Sequence, residues 1–150
     1  MWQSVYESPA DDHLSIALGQ LGITGEGTDL CILTYGNGFY LSCQAQPGLE
    51  KAGISLRIVD LRWLAPLNED EIIAQVAKCK AVLIVDECRK TGSTSEALMT
   101  LMLECQVSVP AARVTAEDSF IAIGAASTMT LPDVAQITQA ALLLTGHQQV

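Results

Sequence analysis

Short apolar runs alternate with longer segments along most of the chain, and this alternation constrains the fold more than any other feature. Four runs, at residues 30–35, 54–61, 81–85 and 111–115, have the length and apolar content of strands. The segments between them are long enough to form helices. Such an order predicts right-handed crossovers and a largely parallel sheet with helices on both faces. We therefore expect an α/β fold.

One more strand is expected before these four. Residues 14–23 alternate apolar with small or polar side chains and lead into a turn-rich segment at 24–28. The reversal at residues 25–27 resembles a hairpin turn, which predicts that the first strand is an antiparallel edge strand of the sheet.

Capping signals predict where two helices begin. Residues 68–71 resemble a cap before a helix at 72–78. Ser93 and Glu96 form an S-x-x-E box that opens a predicted helix through about Cys105.

Prolines qualify two further helices. A helix at residues 39–52 is expected to be shortened or kinked by Pro47, which cannot donate a backbone hydrogen bond. Pro132 suits the first turn of a last helix, where that donor is not needed.

Length, composition and charge predict a single acidic domain. The chain has 150 residues, of which 49% are hydrophobic and 17% charged, and this excludes disorder as its main state. The net charge of −9 argues against nucleic acid or an anionic membrane as a partner, because phosphate binding needs basic side chains. No apolar run approaches the ~20 residues of a membrane-spanning helix. We interpret residues 1–12 as a linker from a missing upstream domain and residues 13–150 as the folded domain.

The cysteines predict a reducing compartment. Their number is odd, they are widely spaced, and none forms a C-x-x-C pair, which argues against a zinc ribbon or a secreted disulfide framework. We interpret them as reduced core residues of a cytoplasmic protein, and we expect no signal peptide at the N-terminus. They are Cys31, Cys43, Cys79, Cys88 and Cys105.

The candidate catalytic and nucleotide-binding motifs are incomplete. Gly36-x-Gly38 follows a predicted strand and Asp60 ends the next, as in a dinucleotide-binding fingerprint, but Leu41 replaces the third glycine. We interpret the glycines as a strand-to-helix turn and keep nucleotide binding as an alternative. The histidines, His13 and His147, lie near opposite ends of the chain, so no nucleophile and base pair is indicated.

Adjacent carboxylates at Asp86 and Glu87 follow the third of the four buried runs, where open α/β sheets place ligand sites. They are candidates for mutually raised pKa values and acid–base work. We favour a plainer interpretation, in which one is solvated and the other pairs with Arg89, Lys90 or Arg62. A domain without a complete site of its own is typical of one that docks onto another protein.

Several blocks, taken in order, carry a family resemblance. They are EGTDLCILTYG at 26–36, IVDLR at 58–62 with PL at 66–67, VDE at 85–87 with Thr91, Gly92 and Glu96, RVT at 113–115 with Asp118, and LP at 131–132. In this order the chain resembles the C-terminal domain of transketolase-like enzymes. Within them it is most similar to the beta subunit of 2-oxoacid dehydrogenase first components of pyruvate or branched-chain type. The resemblance covers about residues 14–145.

The resemblance implies a three-layer α/β/α sandwich with a five-stranded, mostly parallel sheet and one antiparallel edge strand. In that family thiamine diphosphate and Mg²⁺ lie between two other domain types, which implies that this domain binds neither and is not catalytic alone. The implied role is a subunit-interface and docking domain of a decarboxylating, acyl-transferring dehydrogenase. The implied partners are the upstream pyrimidine-binding domain, the alpha chain and the acyltransferase core, within a homo- or hetero-oligomer.

Nine residues fall on recurrent positions of the family, and the resemblance implies interface or structural roles for them. Arg62 is implied to face neighbouring domains, and the Thr91–Gly92 pair to shape a loop that meets a partner subunit. The nine are Asp60, Arg62, Pro66, Glu87, Thr91, Gly92, Glu96, Arg113 and Asp118.

Two alternatives stay open. The same domain occurs in other thiamine enzymes, namely transketolase, deoxyxylulose-phosphate synthase and 2-oxoacid:ferredoxin oxidoreductase. Their substrates carry phosphate or coenzyme A, and the scarcity of basic residues argues against them. A free-standing nucleotide-binding or interaction module is the other alternative.

Overall fold

A computed structural model describes residues 15–121 and 123–147 as a sheet flanked by helices. The predicted linker, residues 1–12, lies outside the described residues, as do residues 13 and 14. The strands are β1 (Gly22–Thr24), β2 (Leu30–Thr34), β3 (Leu56–Asp60), β4 (Ala81–Arg89) and β5 (Ala111–Ala116). The helices are α1 (Asn37–Lys51), α2 (Glu69–Val76), α3 (Thr94–Glu104) and α4 (Val134–Leu144), with a 3₁₀ helix at Gly124–Met129. No described helix is long and apolar enough to cross a membrane.

The sheet has the order β1-β3-β2-β4-β5. The last four strands of the chain run parallel, and β1 lies antiparallel to β3 with Gly22 opposite Asp60. The predicted mostly parallel sheet with one antiparallel edge strand is confirmed. The predicted extent of the first strand is wrong. Of residues 15–23 only 22 and 23 are in β1, because the preceding segment turns, with Gln20 N bonded to Ala17 O at 3.0 Å, and has no strand beside it.

The hairpin suggested by the glycines at 25–27 does not form, since β1 pairs with β3 and not with β2. The chain instead passes beneath the start of β3, where Gly27 N donates to Leu56 O at 3.0 Å. A Cβ on Gly27 would overlap Leu56 N, so only glycine fits this crossing. After this crossing the chain enters β2 at the centre of the sheet, and all residues of β2 are buried.

Two apolar cores lie on opposite faces of the sheet, which confirms the three-layer α/β/α sandwich. Within β2, Leu30 and Ile32 face the core beneath α1 and α4, while Cys31 and Leu33 face the core beneath α2 and α3. All four are fully buried. A central parallel strand is buried on both faces, and this is why the apolar run at residues 30–35 is continuous and not alternating.

Helix starts depart from prediction in three places, and the first is α1, which begins at Asn37 and not at residue 39. Helix α2 begins at Glu69, earlier than predicted, because Asn68 Oδ1 accepts from Glu71 N at 3.3 Å and caps it. Helix α4 begins after Pro132, not around it. Its cap is Asp133, whose Oδ1 accepts from Gln136 N at 2.7 Å in a reciprocal capping box.

Pro47 does not shorten α1, which continues through it to Lys51. The pyrrolidine ring is exposed, on the solvent side of the helix.

The interpretation of the cysteines as core residues holds for only part of the set. Cys31 and Cys79 are buried and Cys43 is partly buried, but Cys88 and Cys105 are exposed. Cys88 lies near the end of β4, beyond the buried part of the strand, and Cys105 follows the last residue of α3.

Gly38 sets the distance between α1 and the sheet. A Cβ at this position would lie 2.5 Å from Thr34 Oγ1 and 3.2 Å from Val85 O. Thr34 is itself buried and donates to Val85 O at 3.0 Å, so a shift of its hydroxyl would break this bond.

Gly38→Ala should therefore destabilise the protein by about 1–3 kcal/mol, because the added methyl overpacks the contact of α1 with β2 and β4. Gly48 is a matched control in the same helix, with nothing within 4 Å of an added Cβ. Gly48→Ala should stabilise by about 0.5–1 kcal/mol through helix propensity. Urea unfolding of both variants measures the difference, and equal effects would contradict the proposed overpacking.

Candidate functional site at the carboxyl edge of the sheet

The carboxyl ends of the four parallel strands meet at one edge of the sheet, and the nine predicted positions gather there. Five of them lie in the loop after β4, residues 90–93, or contact it. They are Thr91, Gly92, Glu96, Arg113 and Asp118. Glu87 lies on β4 just before this loop, and Asp60, Arg62 and Pro66 follow β3, on the far side of β2.

Two hydrogen bonds join the loop after β4 to the loop after β5. Thr91 Oγ1 donates to Asp118 Oδ2 at 2.6 Å, and Thr91 N donates to Asp118 Oδ1 at 2.9 Å. Both side chains are exposed. Both bonds lower the pKa of Asp118, and the bond from the Thr91 hydroxyl has the larger effect. The two loops are thereby held in one arrangement.

Arg113 supports the same loop from below. Its Nη1 donates to Lys90 O at 3.1 Å and to Ser95 Oγ at 3.3 Å, and lies 4.0 Å from Glu96 Oε1. Glu96 Oε2 accepts from Gly92 N at 2.8 Å. The predicted S-x-x-E capping box is therefore wrong, because Glu96 reaches the residue before the cap and the Ser93 side chain makes no capping bond.

A buried carboxylate takes over the cap of α3. Asp86 is 1% exposed, and its Oδ2 accepts from Ser95 N, in the first turn of α3, at 2.8 Å. Its Oδ1 accepts from Tyr35 OH at 2.6 Å and from Cys88 N at 2.8 Å. The acceptor lies on β4, nine residues before Ser95 in the sequence, which is why a local capping pattern did not reveal it.

These bonds correct the interpretation of the adjacent carboxylates. Burial alone would raise the pKa of Asp86, but the hydrogen bond from Tyr35 and those from backbone N–H groups outweigh it and lower the pKa. The side chain of Asp86 is neither solvated nor paired with a cation. Burial, and then the bond to Asp86, raise the pKa of Tyr35, so that its hydroxyl remains a donor.

Glu87 makes a separate contact. Its Oε1 accepts from Asn37 Nδ2 at 2.6 Å and so joins β4 to the first residue of α1. This hydrogen bond is to Asn37 and not to any of the predicted partners Arg89, Lys90 and Arg62. Arg89 Nε instead donates to Thr91 O at 3.1 Å.

Arg62 folds back towards its own strand. Its backbone has φ +56°, its N donates to Asp60 Oδ1 at 3.3 Å, and its Nε lies 3.6 Å from Asp60 Oδ2. A Cβ on Gly22 would come within 2.7 Å of the guanidinium, so the arginine lies over the start of β1. Pro66 is exposed and follows a cis peptide bond.

Two open depressions lie at this edge. One, of about 500 Å³, is bordered by Arg89, Thr91, Gly92, Asp118, Ser119 and Phe120. The other, of about 490 Å³, lies between the first turns of α1 and α4 and is bordered by Asn37, Leu41 and residues 131–135. Both are shallow and open to solvent, in contrast to the enclosed pockets typical of small-molecule sites.

The nucleotide-binding fingerprint has another explanation in the structure. Gly38 is needed for packing of α1 on the sheet, and Leu41, at the position of the third glycine, packs on the apolar core. Within residues 15–121 and 123–147, no three His, Cys, Asp or Glu side chains converge as metal ligands. His147 Nδ1 lies 3.1 Å from Thr145 Oγ1, and His13 is outside the described residues.

Asp86→Asn should lower the free energy of unfolding by about 1–3 kcal/mol at pH 7, because an amide nitrogen then faces backbone N–H donors. The folded-state pKa of Asp86 is lowered, so its stabilisation is present above the unfolded value of about 3.9 and is lost as the pH falls below it. The difference in free energy of unfolding between the unchanged chain and Asp86→Asn should therefore narrow below about pH 4.

Urea unfolding at pH 7, 5 and 3 measures this difference. Glu87→Gln is the control and should change stability by less than about 0.5 kcal/mol, because its side chain is partly exposed and can still accept from Asn37. A difference that widens towards pH 3 would contradict an ionised Asp86.

Comparison with known sequences agrees with the resemblance. The pyruvate dehydrogenase E1 component subunit beta of Bacillus subtilis is 31% identical over 144 residues, which are 94% of this chain and 44% of that protein. The subunit of the same name from Staphylococcus aureus is 28% identical with the same coverage. The 2-oxoisovalerate dehydrogenase subunit beta of B. subtilis is 38% identical over 98 residues, 65% of this chain and 30% of that protein. The chain thus spans less than half the length of these relatives.

Solved structures share the fold. A split-gene transketolase, described as an inactive beta4 tetramer, has a TM-score of 0.77 and 20% identity over 89% of this chain and 45% of that chain. The 2-oxoglutarate:ferredoxin oxidoreductase of Magnetococcus marinus has a TM-score of 0.60 and 19% identity over 84% of this chain and 20% of that chain. The family described as "Transketolase, C-terminal domain" matches residues 19–139, and the chain belongs to this family.

Proposed function

We propose that this chain is the C-terminal, subunit-interface and docking domain of a thiamine-diphosphate-dependent 2-oxoacid dehydrogenase beta chain. The observation that carries the proposal is the match of 94% of the chain to 44% of a pyruvate dehydrogenase E1 beta subunit. A branched-chain relative, the 2-oxoisovalerate enzyme, supports the same class of parent. The parent would decarboxylate a 2-oxoacid and pass the acyl group to a lipoyl carrier in the cytoplasm.

The geometry of the carboxyl edge supports an interface role. The bonds from Thr91 to Asp118 and from Arg113 to Lys90 hold exposed loops in place before a partner arrives. Such preorganisation reduces the entropy that is lost when a partner binds. In the proposal, residues 90–93 and Asp118 face another subunit, while Glu96 and Arg113 support them.

Thiamine diphosphate and Mg²⁺ belong, in this proposal, to the other domains of the parent. When bound there, they supply the carbanion chemistry of decarboxylation. The described residues contain no cluster of three potential metal ligands, and the glycine pair at 36–38 is used in packing against the sheet. In the proposal no residue of this chain is assigned to either cofactor. The partners that we propose are the upstream pyrimidine-binding domain, the alpha chain and the acyltransferase core.

An antibody raised against the chain tests the parent. The endogenous protein should have an intact mass more than twice the 16.0 kDa of this chain, because the chain spans 44% of its relatives. Protein captured with that antibody should decarboxylate pyruvate or a branched-chain 2-oxoacid when thiamine diphosphate and Mg²⁺ are added.

The purified 150-residue chain is the control in that assay and should be inactive. Decarboxylation by this chain alone would contradict the assignment of the cofactors to other domains. Activity of the captured protein on sugar phosphates would favour a transketolase-type parent. A native species of 16.0 kDa would indicate a stand-alone binding module.

Asp118→Ala in the assembled parent should weaken subunit association about tenfold, because residues 90–93 lose both bonds that join them to the loop after β5. Glu104→Ala is the matched control, since Glu104 is an exposed acidic residue at the end of α3, at the opposite edge of the sheet, and it should change association less than twofold. Sedimentation velocity across a concentration series measures both. Equal dissociation of the two variants would count against an interface role for this loop.

A further inference from the structure

The exposed apolar side chains of the protein are concentrated at the carboxyl edge. Of the eleven large hydrophobic residues that are exposed in the described part of the chain, eight lie there. They come from the segment before β1, the first turn of α1, the loop after β3 and the loop after β5. In the last of these, Phe120 and Ile123 are fully exposed and Met129 is 83% exposed. Exposed apolar area of this kind is typical of an interaction site.

The negative charge is concentrated at the same edge. Ten of the fourteen acidic residues in the described ranges lie at the carboxyl ends of strands, in first turns of helices or in the loops between them. Only four basic residues accompany them: Arg62, Arg89, Lys90 and Arg113. The edge therefore has a formal charge of −6. The remainder of the described chain has four acidic and four basic residues and is neutral.

Apolar and acidic residues are arranged as a centre and a rim. Residues 119–131 contain no charged side chain, and Glu117, Asp118 and Asp133 flank them. An apolar centre with a polar rim is the usual anatomy of a protein interface. We call the loop after β5, residues 117–133, together with the acidic side chains in the first turns of α2 and α3 at the same edge, the carboxyl-edge surface; these acidic residues are Glu69, Asp70, Glu71 and Glu96.

We infer that the carboxyl-edge surface docks a protein partner whose contact surface is apolar at its centre and basic at its rim. The inference deepens the proposed function and rests on it for the existence of a partner. The negative charge of this edge indicates that the partner's contact surface is positively charged. Two copies of this chain that met at this edge would bring together two edges with a formal charge of −6 each, and their repulsion opposes self-association there. Nucleic acid and anionic lipid are also negatively charged, so the edge would repel them in the same way.

A peptide probe tests the inference on the 150-residue chain itself. The probe is a labelled helix of about five turns with leucines on one face and lysines on the other. Fluorescence anisotropy should show saturable binding that weakens as NaCl is raised. A peptide of the same pattern with glutamate in place of lysine should bind at least about tenfold more weakly, as should a Leu/Lys peptide of scrambled order, which lacks the apolar face.

Matched variants locate the contact. Phe120→Ser with Ile123→Ser should weaken binding of the Leu/Lys peptide about tenfold or more. Leu103→Ser with Leu143→Ser removes two comparably exposed apolar side chains, 78% and 66%, near the ends of α3 and α4 at the opposite edge, and should change binding less than twofold. All four positions are exposed, so the variants should retain the melting temperature of the parent chain.

Charge variants complete the design. Glu69→Gln with Asp70→Asn at the carboxyl edge should weaken binding more than Glu26→Gln with Glu104→Gln at the opposite edge. Equal losses in the paired variants, or equal binding of the lysine and glutamate peptides, would overturn the inference. Light scattering that shows dimers abolished by Phe120→Ser would overturn it in favour of a second copy. None of these readouts uses catalysis, so their failure is separate from a failure of the antibody and decarboxylation assays.

Discussion

The buried carboxylate of Asp86 connects three elements of the fold at the carboxyl edge of the sheet. It lies on β4, accepts the hydroxyl of Tyr35 at the end of β2, and caps α3 through Ser95 N. A buried charge without a counter-ion is costly, and here hydrogen-bond donors satisfy it instead. Asp86 therefore anchors the start of α3, and with it one end of the loop at residues 90–93, while the buried apolar side chains of α3 hold the rest of the helix on the sheet.

The other constraint is steric. Gly38 lets the first turn of α1 lie directly on Thr34 and Val85, so that the helix begins close to the carboxyl ends of β2 and β4. The same glycine pair resembles part of a dinucleotide-binding motif, because that motif also needs a close approach of helix to strand. Here the close approach serves the domain's own packing. This accounts for a glycine-rich turn in a chain whose family resemblance implies no bound nucleotide.

These constraints give the nine predicted positions different structural roles. Thr91, Gly92 and Asp118 lie on exposed loops, and Arg113 and Glu96 lie beneath them. Arg62 and Asp60 form a separate pair at the end of β3, over the start of β1. A surface organised by side chains that are themselves rigidly held is suited to a permanent subunit contact. The concentration of apolar and acidic residues at this edge is consistent with that role.

The sequence alone determined the α/β class, because continuous apolar runs such as residues 30–35 can be satisfied only by burial on both faces of a sheet. It also located most strands and helices to within a few residues, and the ordered motifs indicated the family. It did not determine the short first strand or its pairing with β3, since alternation at residues 14–23 shows a face but not a neighbour. Nor did it reveal Asp86 as the cap of α3 or Glu96 as a partner of Gly92. The contacts of Asp86 join residues whose proximity depends on the packing of β4 against β2 and α3, and only the tertiary structure decides which donors surround a carboxylate.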